Sequence, residues 1–319
     1  MLFWNPDERR LRALLRLLVV FALLSGAGVA LRASGLFAHR WGPGFLVVWA
    51  GTRVMVTVLA IWLVGGLVDR RGLRGFGLTL DRGFLADLGF GLALGGALMG
   101  LVFVGEWGAG FLVVTGTLES GIPGVTFFQA IWVPAFVFLC VGIYEELLFR
   151  GYLLLNLAEG LAFDRLGGPR GGMVLACLLS SAVFAAGHAG NPNASWISTV
   201  NIGVAGVFLA LGFLWTGRLA LPIGLHVTWN FFQSSVFGFP VSGLTLGTSV
   251  LGIEQRGPEV WTGGAFGPEA GLAGLLAMLL GSVLTLAWCR RRSDRRLCLA
   301  TGRLFSRETE TRTDPVPAA

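Results

Sequence analysis

Residues 129–155 read QAIWVPAFVFLCVGIYEELLFRGYLLL, an apolar run interrupted in its second half by Glu145, Glu146 and Arg150. The run is longer than the roughly 20 residues a helix needs to cross about 30 Å of hydrocarbon. Ionisable side chains at such depth cost several kcal/mol each unless paired or wetted, so these three mark either a protected interior or a charge cluster that ends a helix at the interface, with Arg150 snorkelling to the surface. Working outward, similar apolar blocks lie near 15–33, 45–67, 84–104, 172–190, 196–215, 219–238 and 269–289. The expected fold class is all-α: a polytopic membrane protein with about eight transmembrane helices.

Composition agrees with that reading. Of the 319 residues, 54% are hydrophobic and only 13% charged, with a mean hydropathy of +0.73. A soluble domain carries about 25% charge, so this chain cannot clothe a water-facing surface. The net charge is +6, and all 24 basic residues are Arg. Most of them flank apolar blocks, where they orient helices and meet anionic headgroups, so nucleic acid is not an expected partner. The expected surroundings are the lipid bilayer of the cell membrane, crossed many times. Arg9, Arg10, Arg12 and Arg16 precede the first block; Arg70, Arg71, Arg74 and Arg82 follow the second; Arg290, Arg291 and Arg292 follow the last. Glu106, Glu119, Glu254, Glu259 and Glu269 occupy the intervening loops on the other side. The positive-inside rule then places both termini in the cytoplasm, with Arg32 and Arg40 as exceptions.

The chain divides into three N-terminal helices (1–128), a central core (129–238), an external loop with the last helix (239–289) and a basic tail (290–319) expected to be disordered. Cys140, Cys177, Cys289 and Cys298 show no paired spacing and read as packing residues rather than a disulfide framework. Gly91, Gly95, Gly96 and Gly100 give two GxxxG spacings in the third block, which let helix backbones approach closely.

Within the core, Glu146 and Arg150 form an i,i+4 pair on one helix face. Glu145 lies about 140° around from Arg150 and has no such local cation, so the two acids are expected to differ, Glu146 held ionised and Glu145 desolvated. Phe184 precedes His188 by four residues and Asn230 follows His226 by four, so each pair shares a helix face. His39, the remaining histidine, falls in a loop. Arg53 and Asp87, in the second and third blocks, read as snorkelling or paired charges. Ser180 and Ser181 sit in no GxSxG elbow, which argues against a serine nucleophile.

EExxxR (Glu145, Glu146, Arg150), FxxxH (Phe184, His188) and HxxxN (His226, Asn230), in this order on three helices, resemble the CAAX prenyl protease / bacteriocin-processing (CPBP, or Abi) family of intramembrane endopeptidases. The resemblance covers roughly 129–238. It implies an enzyme that cleaves a membrane-associated or lipidated protein or peptide. It also implies that Glu145 and His188 activate water, that His226 and Asn230 hold the oxyanion, and that Glu146 and Arg150 shape the site. Peptide hydrolysis needs such parts: an activated water and donors aimed at the developing oxyanion. No cofactor is expected on this scheme, although Glu145, His188 and His226 would also be a plausible zinc-ligand set. The residues leave two other readings open, a transporter or channel with a Glu/His proton relay and an inactive immunity or scaffold protein. One geometric tension also stands. Counted from the cytoplasmic ends of their blocks at 1.5 Å per residue, His188 lies about 24 Å deep and His226 about 11 Å.

Overall fold

The computed structural model describes residues 4–5, 10–35 and 43–292. His39, Arg40, Arg9 and Cys298 lie outside the described residues. Among the described residues eight helices form the bundle, each, with its continuation where it has one, within about five residues of its expected bounds. They are α1 (Ala13–Ala33), α2 (Pro43–Val64, continued by a π turn Gly65–Asp69), α3 (Arg82–Gly108) and α4 (Trp132–Glu146), then α5 (Gly168–His188), α6 (Trp196–Thr216), α7 (Ala220–Phe231, continued by a π turn Phe232–Val236) and α8 (Leu272–Arg292). After Glu146 the α4 helix widens into a π turn, Leu147–Leu154, and then runs on as Leu155–Gly160. Widened turns of this kind are often found beside functional sites.

Local chemistry sets these limits. Asp81 caps α3, its carboxylate accepting the Phe84 backbone N–H at 2.7 Å. Ser195 and Ser198 form a reciprocal capping box at the start of α6. Gly217 ends α6 in the left-handed conformation (φ 69°), which a residue without Cβ adopts at no steric cost.

Seven of the helices are long and apolar enough to span a membrane, and the fold is a multi-pass membrane protein. The exception is α7, 12 residues long before its π turn. It packs against α3, α4 and α6, and residues 220–226 are all buried. Its sequence satisfies protein neighbours rather than lipid. The α3–α7 crossing is close because glycines face backbone on both sides: a Cβ on Gly91 or Gly95 would strike the α7 backbone, and one on Gly224 would strike the α3 backbone. Gly96 rests on the Phe232 ring, whereas Gly100 has only a distant neighbour.

Two features depart from expectation. A small antiparallel sheet pairs β1 (Leu112–Glu119) with β2 (Ser249–Gln255) at the acid-rich end, where only loops were anticipated. Its strands belong to two loops distant in sequence, so no local pattern announced their pairing. The tail also starts later than 290: Arg290–Arg292 complete α8, and the Arg292 guanidinium stacks on Trp288 and lies 3.7 Å from Asp87. Residues 293–319 lie outside the described residues. At the Arg-rich end, Arg16 of α1 binds Asp69 (2.6 Å) and Glu159 (2.9 Å). Arg71 binds the same Glu159 at 2.6 Å, and the Tyr152 hydroxyl donates to Asp69 at 2.8 Å. This buried network ties α1, α2 and the end of the α4 segment together.

Candidate active site

The α4 helix delivers Glu145 and Glu146 at its last two positions, both buried, on different faces. Glu146 turns inward and is wholly inaccessible. Its Oε1 receives Arg150 at 2.8 Å and His226 Nδ1 at 2.7 Å. Arg150 is fixed in turn by donating to the Gly206 carbonyl (3.1 Å) and by lying 4.5 Å over the Phe184 ring. The expected i,i+4 pair is therefore present, and the structure adds its purpose: it backs a histidine.

With Nδ1 of His226 engaged by Glu146, Nε2 faces Glu145 Oε2 across 3.9 Å. The other oxygen of Glu145 accepts the Tyr144 hydroxyl at 3.0 Å. His188, the last residue of α5, sets its Nδ1 2.8 Å from the Phe184 carbonyl. A carbonyl can only accept, so Nδ1 carries a proton, and in the neutral ring the lone pair is then on Nε2.

Glu145, His188, His226 and Asn230 all line one cavity of about 510 Å³. Glu146 and Arg150 do not line it; they stand behind His226. The depth difference between the two histidines is bridged by Phe184, whose ring centroid lies 4.6 Å from His188 and 6.3 Å from His226. The two imidazoles can be no farther apart than those two lengths laid end to end. The α5 helix stops at His188, and the following turn is roofed by the loop before α8: the Asn191 amide donates to the Ser242 carbonyl at 2.9 Å. The cavity thus reaches from the middle of the bundle to the acid-rich end, where Val241, Ser242, Leu244 and Glu269 close it. Apolar side chains, among them Phe45, Val141, Leu148, Phe208 and Met278, form most of the remaining wall.

The family model described as Type II CAAX prenyl endopeptidase Rce1-like matches residues 127–232, from the start of the α4 segment to the end of α7. The match, about a third of the chain, supports the CPBP/CAAX protease family for this core. Searches of the curated proteins and of the solved structures returned no match. The matched stretch contains every CPBP motif residue named above, and the helices outside it complete the cavity. The match supports an intramembrane CAAX-type endopeptidase in general, and the apolar helices fit a lipid bilayer.

Three cavity residues escaped the motif reading of this CPBP core. Tyr144 adjoins Glu145 in sequence, but only the fold shows its hydroxyl on that carboxylate. Arg53 of α2, an exposed side chain, lines the cavity and lies 4.9 Å over the Trp49 ring. Glu269 looked like a solvated loop acid. It is buried, accepting from the Ser242 backbone N–H (2.7 Å) and the Gln233 amide, and burial pushes its carboxyl above the usual range. Asp87 is paired, as expected of it, with Trp288 Nε1 at 3.0 Å and Arg218 at 3.7 Å. Among the described residues, no group of three His, Cys, Asp or Glu side chains is placed to hold a metal ion.

Proposed function

We propose that the protein hydrolyses a peptide bond of a membrane-associated or lipidated protein or peptide, using water activated by Glu145 and His188 without a metal. The observation that carries this reading is the convergence of Glu145, His188, His226 and Asn230 from three helices on one largely apolar cavity. A carboxylate and a neutral imidazole there can take a proton from water as its oxygen attacks the scissile carbonyl carbon. Negative charge then develops on the carbonyl oxygen. Asn230 supplies an amide donor for it, and His226 supplies a second through Nε2–H when its ring carries both protons, the Nδ1–H being held by the Glu146 carboxylate. The proton held by Glu145 or His188 passes to the leaving amine nitrogen as the C–N bond breaks. The apolar wall suits a lipid chain, or the apolar side chains of a membrane segment, beside the scissile bond. Glu146 and Arg150 act through His226 and touch no reacting atom.

A purified sample in lipid nanodiscs, given an S-farnesyl CaaX peptide and its unprenylated counterpart, tests the reading. Cleavage of the lipidated peptide is expected, with Glu145→Gln lowering kcat by at least about 10³-fold, since removing an essential base forfeits its full proton-transfer advantage. The absence of lipid-dependent cleavage in the wild type would refute the proposed substrate class. In the same assay, EDTA or phenanthroline should leave the rate within about twofold. Loss of activity restored by stoichiometric Zn²⁺ would replace the water-activation scheme with one in which Glu145, His188 and His226 hold zinc.

A further inference from the structure

Arg53 sits ten positions into α2, about half-way along an apolar span, where an unpaired guanidinium is costly, and its side chain is exposed rather than packed away. Among the described residues no carboxylate lies within ion-pair reach of it. It is also the only Arg or Lys among the residues lining the cavity. Two aromatic rings hold it in place of a counter-charge: its guanidinium carbon lies 4.9 Å over Trp49 and 5.9 Å from the Tyr144 ring centroid. Both rings line the same cavity, and the Tyr144 hydroxyl rests on Glu145. Ring stacking orients a guanidinium while leaving its N–H edge open, the arrangement suited to bidentate capture of a carboxylate.

We propose that Arg53 reads the free C-terminal carboxylate of the substrate and thereby sets how far from the chain end the protein cuts. This inference rests on the endopeptidase reading and deepens it. The Tyr144 side chain separates the guanidinium from the Glu145 carboxylate. An extended peptide advances about 3.3–3.6 Å per residue, so the interval from a bond attacked beside Glu145 to a carboxylate held by Arg53 fits a short C-terminal fragment of a few residues. The anion comes from the substrate because none of the described residues places a carboxylate against Arg53. A cation that pairs only when substrate is bound discriminates between chain ends, since a neutral end would cover the guanidinium without supplying a counter-charge.

Binding separates this inference from catalysis. A fluorescent S-farnesyl CaaX peptide is prepared as the free acid and as the C-terminal carboxamide. Both are titrated into Glu145→Gln protein in nanodiscs, alone and combined with Arg53→Met or Arg53→Lys. The acid should bind about 30-fold more tightly than the amide, the size expected of a charge-assisted bidentate contact. Arg53→Met should bring that ratio close to one, and Arg53→Lys should retain an intermediate preference, which a purely structural role for Arg53 would not produce. Equal binding of acid and amide to the Glu145→Gln protein, or an undiminished preference with Arg53→Met, would overturn the assignment. Wild-type hydrolysis is measured alongside. An Arg53-dependent preference without hydrolysis would remove the endopeptidase reading alone, and hydrolysis without the preference would remove the carboxylate capture alone.

Discussion

Glu145 and Glu146 are adjacent in sequence, yet their surroundings assign them different work. Glu146 holds Arg150 and His226 on one oxygen and is sealed from the cavity, whereas Glu145 faces the cavity with Tyr144 as its hydrogen-bond partner. Substituting Gln at each should therefore separate folding from chemistry. Glu146→Gln removes the charge that neutralises a buried guanidinium, and breaking a buried pair from one side costs about 3–5 kcal/mol. Its unfolding temperature in detergent should fall well below that of Glu145→Gln, which should stay close to wild type because Gln keeps the shape and can still accept from Tyr144. Equal stabilities for the two variants would contradict the division of labour. The EExxxR, FxxxH and HxxxN spacings were legible because each pair lies one helical turn apart, a relation that sequence states directly. Tyr144 and Arg53 were not legible in that way, since what matters about each is a partner on another element or on the facing wall.

The α7 helix carries His226 and Asn230, and its position depends on α3 more than on its own hydropathy. Gly91 and Gly95 of α3 and Gly224 of α7 let two backbones meet with no Cβ between them. Gly95→Leu should force the pair apart, cost about 1–3 kcal/mol or more, and lower activity in step with stability by displacing both cavity residues of α7. Gly89→Ala on the same helix is the control. A Cβ there meets nothing within 4 Å, so the change should be neutral or slightly stabilising. Thermal unfolding and peptide cleavage measured on both variants check the claim, which fails if Gly95→Leu behaves like Gly89→Ala. The GxxxG pattern announced a close helix contact, but not which helix would fill it.

Charge is distributed unequally over the whole molecule. One end carries Arg70, Arg71, Arg74, Arg165, Arg170 and Arg218; the other carries Glu119, Glu254, Glu259 and the small sheet. By the positive-inside rule the Arg-rich end is expected in the cytoplasm, which would put the cavity's roof on the far side of the membrane. Single cysteines at exposed Ser120 and exposed Arg74 test this, because the described native cysteines are buried. A membrane-impermeant maleimide should label Ser120→Cys in intact cells and Arg74→Cys only after permeabilisation. The opposite pattern would invert the topology. At this scale the eight blocks and their order were visible from hydropathy, while the roof formed by 238–270 was not. Those residues lack any long period, and they are held by contacts to Asn191, Gln233 and β1 that lie far away in sequence.

Sequence alone determined that the chain crosses a membrane repeatedly, and it singled out the stretch of about 129–238 with the seven residues of the three motifs. Each of these depends on composition or on spacing within one helix, and a helix converts spacing into geometry without help from the rest of the fold. Tertiary structure alone decided that His188 and His226, apparently at different depths, face one cavity, because a helix ending under a loop and an aromatic ring between them have no local signature. It also decided that Glu146 serves His226, that a 12-residue helix is shielded by its neighbours, and that Arg53 turns to the cavity. Those outcomes rest on which side chains from separate elements meet. Long-range packing selects such meetings among many alternatives that the same local pattern would allow.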